Sequence, residues 1–92
     1  LRLLWSPRAQ RDLDEACTYI AADNPHAATR IENRIADAVT GLPAHPRKGR
    51  ARRDGKAREL VVAGTPYVIV YRIKDETIEI MRVWHTSREP FA

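Results

Sequence analysis

The chain has 92 residues, 43% of them hydrophobic and 30% charged, and a net charge of +4, which fits one domain over residues 1–92 and leaves no room for a second. No apolar run approaches the roughly 20 residues that span a bilayer, and the N-terminus lacks the basic-then-apolar order of a signal peptide, so no membrane role and a cytoplasmic location are expected. The lone cysteine, Cys17, excludes an internal disulfide and fits a reducing compartment.

Leu1 to Trp5 alternates Leu1, Leu3 and Trp5 on one side, as a short strand does. Ser6-Pro7 reads as an N-cap followed by proline at the first helical position, where its missing N–H costs nothing. Leu13, Ala16, Cys17 and Ile20 recur at three and four residues, predicting a helix from about Pro7 to Ala22. Asn24-Pro25 repeats the cap signal after a tight turn, and Ala28, Ile31, Ile35, Ala38 and Leu42 form the stripe of a second helix running to Gly41 and Pro43. So short a connection makes the helices neighbours, giving a helical hairpin with one apolar side.

The charge is concentrated next. Between Pro43 and Arg58 lie Arg47, Lys48, Arg50, Arg52, Arg53, Lys56 and Arg58 against the single acid Asp54, so this segment carries +6 and the rest of the chain −2. One basic segment on a slightly acidic body points to an anionic partner, without saying whether it is nucleic acid or an acidic protein.

Three strand-like runs follow, Arg58 to Ala63, Tyr67 to Ile73 and Thr77 to His85, separated by Gly64-Thr65-Pro66 and Lys74-Asp75-Glu76, each short enough for a hairpin. The middle run is apolar on both faces and suits a central strand. The expected class is α+β, in the order β-α-α-β-β-β, with the helical hairpin packed on a small antiparallel sheet. A domain this small buries only about two-thirds of the surface its unfolded chain exposes, so a partner covering apolar surface would stabilise it.

In the order and spacing of these motifs the sequence resembles the ParE/RelE toxin superfamily. The likeness runs through Trp5-Ser6-Pro7, Asp12-Leu13, Tyr19-Ile20, Asn24-Pro25, Leu42-Pro43, Pro46-Arg47-Lys48-Gly49-Arg50, Arg58-Glu59-Leu60-Val61-Val62, Gly64-Thr65-Pro66-Tyr67 and Ile80-Met81-Arg82-Val83-Trp84-His85. It implies the toxin of a type II toxin–antitoxin pair, held inactive by a ParD-like antitoxin that wraps it. The ParE branch is the nearer one. It is associated with poisoning of DNA gyrase and has no recognised catalytic set, whereas RelE-like members cleave messenger RNA on the ribosome.

Metal-free RNA cleavage needs a base for the 2′-hydroxyl, an acid for the leaving oxygen and cations for the charged phosphorane. Arg58, Arg82 and His85 are the candidates for those roles. The tyrosine common near the C-terminus of the ribonuclease branch is replaced here by Trp84 and Phe91, neither of which transfers protons, and the basic segment supplies no glutamate. The favoured reading is therefore non-enzymatic, with Arg47, Lys48, Arg50, Arg52, Arg53 and Arg88 contacting gyrase; a ribosome-dependent ribonuclease is the alternative, and a decayed toxin that only binds its antitoxin is a third. An apolar antitoxin segment is expected on the helices through Leu13, Ile20, Ile31 and Ile35. Arg58 and Arg82 have an equal structural reading, pairing with Glu59 or Glu79. His26, His45 and Cys17 lack metal-ligand spacing, so no metal and no cofactor is expected.

Overall fold

The computed structural model describes residues 1–88. Strand β1 (Arg2–Trp5) leads into helices α1 (Pro7–Ala21) and α2 (Pro25–Thr40), followed by β2 (Arg50–Ala51), β3 (Arg58–Val61), β4 (Tyr67–Lys74) and β5 (Thr77–His85). The caps work as their residue types demand: the Ser6 hydroxyl accepts the N–H of Ala9 at 3.0 Å, the Asn24 side chain accepts that of Ala27 at 3.1 Å, and each helix opens on proline.

The strands form one sheet in the order β1-β5-β4-β3-β2. The expected meander of β3, β4 and β5 is present, but the sheet is mixed, because β1 lies parallel to β5 with Leu3 opposite Ile78 and Trp5 opposite Ile80. Parallel neighbours need a long crossover, and everything between β1 and β5 supplies it. The short strand β2 was not anticipated: Arg50 pairs with Glu59 and Ala51 with Arg58, so part of the basic segment is the first arm of a hairpin.

The helices cover one face of the sheet. Leu13, Ile35, Val39 and Leu42 from the helical side meet Leu60, Val62, Ile69, Tyr71, Ile78, Ile80 and Val83 in one buried cluster. Strict alternation along β5 would send Ile78, Ile80, Arg82 and Trp84 to that face. Instead the register slips by one: Tyr71 faces Ile80 while Val70 faces Arg82, so Met81 is an extra residue. Beyond it Val83 points into the core, and Arg82 and Trp84 move to the open face with Val68 and Val70.

The bulge sits where β1 runs out. β1 pairs only with Thr77–Ile80, so among the described residues no strand covers the outer edge of β5 from Met81 on. Polar side chains of the first helix complete it. The Ser6 hydroxyl donates to the Met81 carbonyl at 3.0 Å, and the Asp12 carboxylate accepts the Val83 N–H at 3.0 Å. The Arg82 guanidinium, reaching round the edge, donates to both Asp12 oxygens at 2.7 and 3.1 Å. Asp12 is 6% exposed, and Arg8 adds a second cation 3.4 Å away. Without Arg82, Asp12 keeps only the Arg8 cation and the Val83 N–H and loses two charge-assisted bonds. Arg82→Ala is therefore expected to lower the unfolding free energy by about 1.5–3 kcal/mol in denaturant titration, and a loss no larger than that of a surface arginine would show that the pair does not hold the edge.

Candidate functional site

The turn between α2 and β2 is anchored from below by the core. Tyr71 on β4 is fully buried, and its hydroxyl donates to the Pro46 carbonyl at 2.8 Å while accepting the Gly49 N–H at 2.9 Å. Arg58, at the start of β3, donates to the Gly49 carbonyl at 2.8 Å and to the Arg47 carbonyl at 3.4 Å. Any side chain at position 49 would put its Cβ 2.7 Å from the tyrosine ring and 3.0 Å from the Glu59 carbonyl, so glycine is required for the close approach. Residues 46–49 are thus held at both edges, with the side chains of Arg47 and Lys48 exposed.

The rest of the basic segment is the β2–β3 hairpin. Its tip closes through Arg52 N–H to the Ala57 carbonyl at 2.9 Å and Lys56 N–H to the Asp54 carboxylate at 2.9 Å, with Gly55 in the left-handed region at φ 70°. Arg53 and Lys56 are exposed at the tip and Arg50 on β2, while Arg52 lies 3.9 Å from Glu59. The cations form a ribbon from the anchored turn to the hairpin tip.

The residues considered for nuclease chemistry do not converge. Arg58 lies level with Tyr71 and His85 with Tyr67, on strands either side of β4, which separates them by about 13 Å along the sheet and about 10 Å across it. Arg58 is committed to carbonyls of the turn and Arg82 to Asp12, and neither pairs with Glu59 or Glu79; the latter is bonded by Arg72. His85 Nδ1 accepts the Ser87 N–H at 3.0 Å and lies 2.7 Å from its hydroxyl. A neutral ring held this way carries its proton on Nε2, the tautomer that donates rather than accepts.

His85 also packs edge-on against Tyr67, ring centres 5.2 Å apart. Burial pushes the Tyr67 hydroxyl above the ordinary tyrosine range, Cys17 adding to the shift and Arg88 opposing it, so at neutral pH it is a reluctant acid. Both line a groove of about 570 Å³ between α1 and the sheet, with Glu15, Tyr19 and Arg88. Trp84 is flanked by the guanidinium groups of Arg82 and Arg88, 4.8 and 5.5 Å from its ring centre. Arg88 thus lies beside Trp84 and in the groove along α1. Phe91 lies outside the described residues.

The four residues expected to receive the antitoxin fall into two pairs. Leu13 and Ile35, at 8% and 0% exposure, face the sheet and belong to the chain's own core, so they offer a partner no surface. Ile20 and Ile31 are half-buried against the same core. The stripe used to recognise the helices is the one the fold itself consumes. Tyr19, beside it on α1, is 75% exposed. Among the described residues no group of histidine, cysteine and acidic side chains is placed to hold a metal, and no helix is long and apolar enough to cross a membrane.

Sequence reading missed two groups that organise the site. Asp12 had a signal, since an acid three residues after Ala9 and four before Ala16 falls on the buried stripe of α1. Tyr71 had none, because its role depends on a turn more than 20 residues upstream.

The fold is a helical hairpin on one face of a five-stranded mixed sheet, and the sequence places it among toxins of the type II toxin–antitoxin class. The match to the family described as the ParE toxin of the type II toxin–antitoxin system parDE covers residues 3–90, and the chain belongs to that family. Y4kP of Sinorhizobium fredii, which carries a toxin name, is 44% identical over 96% of this chain and 91% of its own. Toxin RelE2 of Caulobacter vibrioides is 37% identical over 95% of this chain and 97% of its own. Among solved structures, a chain of the chromosomal ParDE system from P. aeruginosa superposes with a TM-score of 0.82, covering 92% of this chain and 95% of that one at 24% identity, a likeness of fold.

Two outcomes follow from the geometry. Tyr71→Phe leaves the Gly49 N–H and Pro46 carbonyl without their partner, and is expected to cost about 1–3 kcal/mol and to speed hydrogen exchange at Gly49; unchanged exchange there would show that the hydroxyl does not hold the turn. Burial, reinforced by the Glu32 carboxylate and then by Asp14, raises the Cys17 thiol above its ordinary range. Less thiolate at a given pH means slower alkylation, so iodoacetamide should modify Cys17 more slowly than free cysteine at neutral pH, and equal rates would contradict the shift.

Proposed function

We propose that this ParE-family toxin acts in the cytoplasm as one domain over residues 1–92, inhibits DNA gyrase when free, and is neutralised by a ParD-like antitoxin. The observation that carries the reading is the contrast between two sets of cations. Arg47, Lys48 and Arg50 are displayed on an anchored turn, whereas Arg58 and Arg82 are spent on internal bonds, and Arg58 stands across β4 from the one histidine of the sheet. A preorganised cationic ribbon suits binding to the DNA segment held by a topoisomerase, because it loses little freedom on contact with phosphates. Arg53 and Lys56 at the hairpin tip extend the same positive surface, and Arg52 supports it from beside Glu59; Arg88 is a separate cation, beside Trp84 and the groove along α1.

A second reading is favoured by one finding, the 37% identity to a protein named Toxin RelE2. It would use His85, with Tyr67 and Arg88 around the same groove, as the proton-transfer centre of a ribosome-dependent ribonuclease. Its difficulty is chemical: with Nδ1 accepting from Ser87, a neutral ring can donate from Nε2 but has no nitrogen left to act as base for the 2′-hydroxyl, and Arg58 is held by the basic turn.

Purified chain, gyrase and relaxed plasmid decide between them. Supercoiling should be inhibited, and Arg47→Glu with Lys48→Glu should weaken inhibition about tenfold or more, the equivalent of roughly 1.4 kcal/mol, while His85→Ala leaves it unchanged. Normal supercoiling together with transcripts cleaved on ribosomes, lost with His85→Ala, would replace this reading with the ribonuclease.

A further inference from the structure

The edge of the sheet at β1 carries unmet main-chain groups. The Arg2 N–H donates to the Glu76 carbonyl at 2.8 Å and the Ser6 N–H to the Ile80 carbonyl at 2.9 Å, and the parallel register sets Arg2 beside Thr77 and Leu4 beside Glu79. In such a ladder every second residue bonds the neighbouring strand. Arg2, Leu4 and Ser6 therefore face β5, and Leu3 and Trp5 turn their N–H and C=O groups outward. Among the described residues no hydrogen bond meets those groups. Helix α1 does not cover them either: it starts at Pro7 and follows β5 beyond the end of β1, with Asp12 at Val83.

Edge strands are normally blunted by charge, proline or a bulge. β1 has no proline, its register with β5 runs without a slip, and Arg2 is its one charged side chain. Leu3 and Trp5 pack against the core from the helix side of the sheet, and Leu1 shares their parity. Arg2 and Leu4 lie on the open face. Leu1 and Leu4 are 48% and 54% exposed, so the strand presents both open main-chain groups and apolar side chains.

We propose that β1 pairs antiparallel with β1 of a second copy of this chain, about a two-fold axis at Leu3. In that register Leu3 exchanges both main-chain bonds with its counterpart, Trp5 stands opposite Leu1 of the second copy, and Leu4 opposite Arg2. The pattern complements itself, as a two-fold contact requires. On the helix side only apolar side chains meet, and on the open face the Arg2 stem covers Leu4 while its guanidinium stays in water. Charge selects the occupant. The basic hairpin lies at the far edge, beyond β5, β4 and β3; joining two copies through β1 sets the two β2 strands nine spacings apart, about 43 Å, several Debye lengths at physiological salt. Joining them through β2 and β3 would press the two cationic segments together. An anionic partner would find only Arg2 on the strand. Five residues a side make a small contact, so the pairing is weak and reversible. It rests on neither the antitoxin nor the target.

The test uses the full chain in reductant, which keeps Cys17 from linking copies. Sedimentation velocity over a dilution series should show a monomer giving way to a dimer as the concentration rises toward the millimolar range. Hydrogen exchange at Leu3 and Trp5 should slow in step with the dimer, with no change at Val61 on the other edge. Leu4 is exposed and its main chain is bonded to β5, so Leu4→Lys should keep the thermal unfolding of the parent; it sets like charges opposite each other twice and should raise the dissociation constant about tenfold. Arg2→Leu makes the same pair apolar and should lower it by a similar factor. A monomer at every concentration would overturn the proposal, as would a dimer that slows exchange at Val61 instead, or one indifferent to both substitutions. Protection of Leu3 and Trp5 already complete in dilute solution would overturn it too, because the chain would then cover its own edge. Should Leu4→Lys fail to fold, the exchange of the parent across the dilution series and the Arg2→Leu titration decide. Neither antitoxin nor gyrase enters the experiment, so its failure leaves the gyrase reading standing.

Discussion

The structure depends on how the last strand is finished. β5 is the longest strand at nine residues, and β1, its outer neighbour, has four. Half of its outer edge would otherwise expose main-chain groups next to a helix, where water has little access and an unmet N–H is costly. Ser6 and Asp12 supply the missing partners from the start of α1, so the helix is joined to the sheet by directed bonds as well as by apolar contact. A buried carboxylate needs compensation, and Arg82 provides it in bidentate form. The pair also locks the bulge at Met81 in place, and the bulge decides that Val83 enters the core and Trp84 faces out.

That one arrangement has consequences for activity. An arginine in the last strand looks like a phosphate ligand in sequence, but Arg82 carries the charge balance of the helix–sheet joint. The same holds for Arg58, whose guanidinium binds two carbonyls of the basic turn. Cations that build the scaffold are therefore distinct from cations the scaffold displays. Fold alone does not separate a gyrase poison from a ribonuclease; the disposition of these side chains does more.

Tyr71 connects the two halves of the molecule's business. Its ring fills the core between helices and sheet, while its hydroxyl pins Pro46 and Gly49. A turn anchored on a fully buried side chain cannot drift without disturbing packing, which makes the displayed arginine and lysine geometrically definite. The same pinning draws Lys48 away from Val61 and leaves the edge of β3 open. One contact thus shapes both the charged turn and the edge of the sheet beside it.

Much of the fold was legible residue by residue. Ser6-Pro7 and Asn24-Pro25 marked the helix starts, the three- and four-residue spacing of Leu13, Ala16, Cys17 and Ile20 marked a buried stripe, and the concentration of cations between Pro43 and Arg58 marked the displayed surface. These are properties of neighbours in the chain: a cap needs the next three residues, a helix face the next four, and a charge run only itself. Periodicity identifies an apolar face without saying what covers it, and in this structure the sheet covers Leu13 and Ile35. The parallel docking of β1, the slip at Met81 that reversed Arg82 and Trp84, the reach of Asp12 to a strand 70 residues away and the hold of Tyr71 on Gly49 were decided only by tertiary structure. Each joins groups distant in the chain, and their energies exist only once the backbone has brought both partners to one place.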